Sequence, residues 1–397
     1  MNNLIINNAR IITPYKVITN GSVVVENGKI TEVSDISKSN NSSNHKIIDA
    51  GGKYLLPGII DLHTDAIDLE ICPRPSADFP IEIAFRELEK RMCGVGYTTV
   101  FHSLHLGSRE YEKGLRSKYS RMEVFEQIFA ACQNHSLINN KIHLRYEITG
   151  VEEYDLCFEL VNSGSVSFFS FMDHTPTEEH LTGEKFKAFV HSSKLPEDQA
   201  FAELKVRMQR PKISSKQMIE LISLLKMNNI PIASHDDRTV SAIEDNHKLG
   251  ITIAEFPITM EAAKRATELK MDTIGGAANV FRGGSNLGNL SVQDAVSQGI
   301  INILCSDYYP PAILQSIFIL FQKNILSLPQ SVNLTSLNPA KAARIDSFTG
   351  SIETGKNADM ILVNYSNSIP TIDKTIVGGH ISGEYSLKNE KAHEYYN

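Results

Sequence analysis

Cysteine is scarce in this 397-residue chain and never paired: Cys72, Cys93, Cys132, Cys157 and Cys305 are scattered, with no Cys-x-x-Cys. Neither a disulfide frame nor a thiolate zinc knot is indicated, and a reducing cytoplasm is the expected compartment. Long hydrophobic runs are missing too. No stretch approaches a bilayer span, and the first residues lack the basic and apolar segments of a secretory signal, so no membrane partner is expected. Nor is there an excess of positive charge. A net charge of −7 gives no support for binding nucleic acid. It does not exclude a small phosphorylated substrate, which needs only local positive charge in a pocket. No Gly-x-Gly-x-x-Gly follows an early strand, which argues against a dinucleotide-binding open sheet.

What is present is the composition of an ordinary globular protein, 42% hydrophobic and 21% charged. Its ends are rich in β-branched residues. Asn27-Gly28 between two such runs is a strong hairpin signal, and short strands recur around Asp359–Val363 and Lys374–Val377. The pattern predicts a small β domain, a β-sandwich, built from residues 1–55 and 345–397 around an inserted central domain of residues 56–344. Within the insert, apolar runs at 58–63, 97–102, 142–148, 166–173, 230–234, 252–256, 272–275 and 301–306 alternate with helix-length segments. That is the count of an α/β fold of the (β/α)₈ barrel type. The 176–229 stretch is long for one connection and is expected to be an insertion over the mouth.

Polar groups sit where these runs end. The first run closes on His63-Thr64-Asp65, whose spacing would place both side chains on one face of a strand. Glu147 ends the third run, Asp173-His174 the fourth, His235-Asp236-Asp237 the fifth and Ser306-Asp307 the last. Each alone could be a helix cap or a satisfied polar group. Barrel strand ends converge on one mouth, however, and five such ends favour a metal site. Imidazoles and carboxylates without thiolates suit divalent metal ions, Zn²⁺ first, with Mn²⁺ or Fe²⁺ as alternatives. A water shared by two such ions would lose much of its pKa, and Asp307 could take its proton.

The motifs resemble those of the amidohydrolase superfamily, and within it the branch of the α-D-ribose 1-methylphosphonate 5-triphosphate diphosphatases of the carbon–phosphorus lyase pathway. The likeness rests on His63-Thr64-Asp65 followed by Pro73-Arg74-Pro75, on Leu144-Arg145-Tyr146-Glu147 and on Met172-Asp173-His174-Thr175-Pro176. It continues through Ala233-Ser234-His235-Asp236-Asp237, Ala254-Glu255-Phe256-Pro257, Asn279-Val280-Phe281-Arg282-Gly283-Gly284-Ser285 and Ser306-Asp307-Tyr308-Tyr309-Pro310. It implies a barrel with a small β domain, two divalent metals and release of pyrophosphate from a ribose 5-triphosphate. By the same resemblance His63, Asp65 and Asp307 would hold one metal, and His174 and His235 the other. Glu147 would bridge them where many relatives use a carboxylated lysine. Asp307 would be the catalytic acid–base, and a homodimer is the assembly left open.

Phosphate chains call for fixed cations and flexible backbone. Arg282, Gly283, Gly284 and Asn286 form one candidate substrate loop, with a plain turn as the alternative. Arg74 is a second candidate, against an ordinary surface ion pair. Asp236 would orient an imidazole or contact ribose hydroxyls, unless it merely caps a helix. Where the branch carries a histidine after Gly-Gly-Ser, this chain has Asn286, which can hydrogen-bond but cannot act as a general acid. A hydrolase or deaminase acting on a ring C–N bond is the alternative activity on the same metal core.

Overall fold

In the computed structural model, which describes residues 3–36, 44–74, 77–107, 119–284 and 289–386, the two ends of the chain build one sheet. β1 (Leu4–Ile12), β2 (Val17–Glu26) and β3 (Lys29–Ser34) run antiparallel. Asn27 and Gly28 turn the last two, at φ of 52° and 79°, the doubly positive pair that matches the twist of a two-residue hairpin. β4 (Lys46–Asp49) and β5 (Tyr54–Pro57) lie parallel to β1. The chain then passes through Gly58, where a Cβ would fall 2.1 Å from Oγ1 of Thr98.

Eight parallel strands follow in sequential order: β6 (Ile59–Thr64), β7 (Tyr97–Leu106), β8 (Asn139–Glu147), β9 (Phe168–Met172), β10 (Ile232–His235), β11 (Ile253–Glu255), β12 (Asp272–Gly276) and β13 (Ile303–Cys305). All eight expected barrel strands are there, most within a residue or two of the anticipated positions. The ring closes through site residues. Asp307 N donates to His63 O at 3.0 Å, and Asp65 N donates to Asp307 O at 2.9 Å. β14 (Met360–Ser366), β15 (Ile369–Val377) and β16 (His380–Glu384) return to the first sheet, β14 pairing antiparallel with β5. The expected sandwich is thus one continuous hydrogen-bonded sheet with its own apolar cluster around Ile6, Ile11, Val23 and Leu362.

Alternation along the barrel strands sorts the side chains. Ala254 and Phe169 face the surrounding helices, while Phe101, Phe168, Ala233, Ile253, Ile274 and Ile303 form a buried apolar layer inside. Two residues further along the same faces come Ser103, Ser170, His235 and Glu255. The polar mouth therefore stands on a dry floor, and any charge there must find its partner within the protein. The long connection after β9 folds into the helices Gly183–Ser193, Glu197–Met208 and Ser215–Met227. Among the described residues no helix is long and apolar enough to cross a membrane.

Candidate metal centre

β6 delivers His63 from inside the strand, but Asp65 lies beyond its end, at the position before the helix Ala66–Ile71. The register of β6 against β7 shifts between Asp61 and Thr64, so strict strand alternation does not place Asp65. Its carboxylate caps no helix N–H. Instead Oδ1 accepts from Arg145 Nη1 at 2.7 Å and lies 3.5 Å from His63 Nε2. Asp236 directly follows the end of β10 and Asp307 lies two residues beyond the end of β13, at φ of 60° and 59°. A left-handed backbone in a non-glycine residue costs energy of order 1 kcal/mol or more, and here it redirects the chain at two strand ends of the mouth.

These turns assemble two adjoining groups of donors, His63–Asp65–Asp307 and His174–His235–Asp236, each with its ligand atoms within 4.8 Å of one another. His174 Nε2 lies 3.8 Å from Asp236 Oδ2, and His235 Nε2 3.9 Å from Asp236 Oδ1. Imidazole and carboxylate donors at such separations fit divalent cations of the zinc or manganese type. His63 and His235 stack at 5.5 Å between ring centroids.

Beneath them lies Glu255, fully buried at the end of β11. Its Oε1 accepts from His63 Nδ1 at 2.8 Å, and its Oε2 accepts from His235 Nδ1 at 2.7 Å and from Ser170 Oγ at 2.9 Å. Both imidazoles are thereby turned so that Nε2 faces the mouth. Burial alone would raise the Glu255 pKa, but the histidines, His63 foremost, outweigh it and hold the acid well below its ordinary range. Burial likewise opposes protonation of His63, yet the Glu255 charge lifts its pKa to about 10. At Asp65 burial is again overcome, mainly by Arg145, and the pKa is lowered. Asp307 differs: burial prevails and its pKa is raised. An isolated carboxylate at such depth costs several kcal/mol, so charge-assisted bonds are what keep Glu255 ionised.

Glu147 is not placed as a bridge. Its Oε2 accepts from His174 Nδ1 at 2.7 Å and its Oε1 from the His174 backbone N–H at 3.2 Å. It does for His174 what Glu255 does for the other two histidines. Asp236, anticipated as an orienting or substrate contact, supplies the third donor of the second group. Arg74 is exposed and is part of neither cavity wall described below. Arg282 and Gly284 line a cavity of about 330 Å³ together with His63, Arg145, His235, Asp236, Phe256 and Asp307. Gly283 ends the helix Ala277–Arg282 at φ +78° without reaching that wall. Asn286 lies outside the described residues.

Glu255 and Arg145 were missed as site residues, although both stand in the quoted motifs. Glu255 ends a strand with a carboxylate as Glu147 does, and Arg145 precedes Glu147 by the two residues that share a strand face. Those signals were available.

A parallel barrel whose strand ends gather imidazoles and carboxylates at one mouth is the architecture of the amidohydrolases, and the chain belongs to that family. The model described as "Amidohydrolase family" matches residues 54–382. Over 385 residues the chain is 32% identical to the α-D-ribose 1-methylphosphonate 5-triphosphate diphosphatase of Escherichia coli (strain K12), an alignment covering 93% of this chain and 97% of the relative. The branch read from the motifs is thus supported. Imidazolonepropionase of Thermoplasma volcanium is 20% identical over 406 residues, covering 92% and 91% of the two chains. Among solved structures, N-acetylglucosamine-6-phosphate deacetylase from Pasteurella multocida superposes with a TM-score of 0.60 at 13% identity, covering 95% of this chain and 98% of that one, a likeness of fold.

Proposed function

We propose that this chain is a metal-dependent phosphoanhydride hydrolase that releases pyrophosphate from α-D-ribose 1-methylphosphonate 5-triphosphate in phosphonate use. The observation that carries this reading is the placing of two guanidinium groups, Arg145 and Arg282, in one cavity with residues of both donor groups. Phosphoryl oxygens need fixed cations beside the reacting centre, and a neutral ring substrate does not. The full-length likeness to the Escherichia coli diphosphatase supports the same substrate class.

His63, Asp65 and Asp307 would hold one divalent ion, Zn²⁺ first, and His174, His235 and Asp236 the other. Bound there, such ions polarise phosphoryl oxygens and make water more acidic. The protein's own groups do the rest. Glu255 and Glu147 fix the imidazoles, Arg145 holds Asp65 in place, and Arg282, which also reaches Tyr308, lines the wall that would take a phosphoryl or phosphonate oxygen. Asp307 accepts a proton from the attacking water at its carboxylate.

The test is direct. Metal-replete protein is offered the ribosyl triphosphate and a panel of nitrogen heterocycles, and pyrophosphate and ammonia are both measured. Pyrophosphate without ammonia is the expected result. Ammonia release, or loss of a heterocycle's ultraviolet absorbance as its ring opens without ammonia, would favour the second reading, deamination or hydrolysis at a ring C–N bond, which the weaker likeness to imidazolonepropionase brings forward.

A further inference from the structure

Arg145 lines the cavity at Arg282 and also a second cavity at the mouth. The second cavity, about 410 Å³, is bounded by Asp65 and His174, one residue from each donor group. Its walls add His105 from the mouth end of β7, Arg121 from the start of the helix Arg121–Gln133, and Arg207 from the helix Glu197–Met208. The volume lies within the usual range of small-molecule sites.

Arg207 is pre-organised. Its Nε donates to Glu203 at 2.6 Å, and its guanidinium carbon lies 5.3 Å from the centroid of the Phe189 ring. His105 sits on the inner face of β7, and both its ring nitrogens are buried without a hydrogen-bond partner. Burial, then the charges of Arg121, Arg145 and His174, push its pKa down to about 3. A neutral imidazole left unpartnered among cations is a cost that an anion in the cavity would remove by accepting its N–H. Two acids share the wall: Asp65 is paired with Arg145, and Asp68, its pKa raised to about 6 by burial against the charge of Arg121, sets one negative charge against the arginines of the wall. The first cavity differs in kind: Phe256, Pro257, Ile258, Ile274 and Leu290 make much of its wall apolar around Arg282.

We infer that the second cavity is an anion subsite that receives the diphosphate end of the substrate through Arg121, Arg207 and His105, while the cavity at Arg282 and Phe256 receives the ribose 1-methylphosphonate end. The assignment of ends rests on the proposed reaction. Water adds to the α-phosphorus and gives up a proton to Asp307. The bond from the α-phosphorus to the bridging oxygen breaks, and the β,γ-diphosphate leaves with that oxygen into the second cavity. The insertion after β9 thus builds the leaving-group site.

Inorganic pyrophosphate and methylphosphonate, each titrated onto the metal-replete full-length chain, test it. Arg121→Gln and Arg207→Gln are each expected to weaken pyrophosphate binding by about ten-fold or more, and to leave methylphosphonate within about two-fold. Arg282→Gln should show the reverse pattern. Arg207→Lys, which keeps the charge but not the fork, should recover part of the lost affinity, with metal content and melting temperature at parental values throughout. Unchanged pyrophosphate affinity in both glutamine variants, or no binding by the parent, overturns the subsite. Pyrophosphate release from the ribosyl triphosphate is scored separately. Release by the parent with unaffected variants sinks the subsite alone; weakened variants with no release by the parent sink the reaction and leave the anion site standing.

Discussion

Nδ1 of His63 lies 2.8 Å from Oε1 of Glu255, and the other oxygen of that carboxylate lies 2.7 Å from Nδ1 of His235. One buried acid therefore sets the orientation of two imidazoles that belong to different donor groups. The two groups are coupled through a residue that need not touch a metal at all.

Glu255→Gln tests that coupling. Glutamine offers one acceptor oxygen where the carboxylate offers two, so one imidazole loses its anchor and both lose the negative charge. Metal affinity should fall by roughly 10–100-fold, the usual cost of losing such a supporting contact. Competition against a chelator measures it. Parental affinity would show that the histidines hold their orientation without Glu255.

Asp307→Asn keeps an oxygen donor and removes the proton acceptor. Turnover should fall by about 10²–10⁴-fold, while metal content measured by atomic absorption stays at the parental level. A variant that turns over like the parent would remove Asp307 from the proton path.

Asp68 carries a pH signature. Its folded-state pKa of about 6 lies above the ordinary value of 3.8, so the folded chain binds more protons than the unfolded chain between those limits. Stability therefore falls as pH rises through that window, and the penalty persists above it. Asp68→Asn removes the titration. Melting temperatures from pH 4 to 7 should decline less steeply in the variant than in the parent, and parallel curves would count against a raised Asp68 pKa.

Gly58→Ala probes the junction between the two sheets. The new methyl would meet Oγ1 and Cγ2 of Thr98 at 2.1 and 2.2 Å, so the strand must shift. Overpacking of this kind costs about 1–3 kcal/mol, seen as a lower urea midpoint at unchanged slope. Thr98→Ala in the same chain should restore only part of the loss, since the remaining Cβ of residue 98 still lies 2.6 Å from the new methyl.

The sequence by itself determined the barrel, because each strand declares itself locally as a short apolar run followed by a helical stretch, several of them with a polar residue at or just beyond the end. It also determined which chemistry gathers at the mouth, since convergence of strand ends follows from the topology alone. It did not separate the carboxylates by task. Glu147, Asp236, Glu255 and Asp307 all stand at or just beyond a strand end, and in one dimension they look alike. Only the tertiary structure decided that Glu147 and Glu255 reach back to Nδ1 of a histidine while Asp236 and Asp307 join the donor groups at the mouth. The difference comes from the left-handed backbone at residues 236 and 307 and from the closeness of neighbouring strands. The same holds for Asp65, which a register shift in β6 and the pull of Arg145, four-score residues away in the chain, carry to its place rather than strand alternation. Local periodicity tells which face a side chain takes; which partner it finds there depends on strands that pair only when the barrel closes.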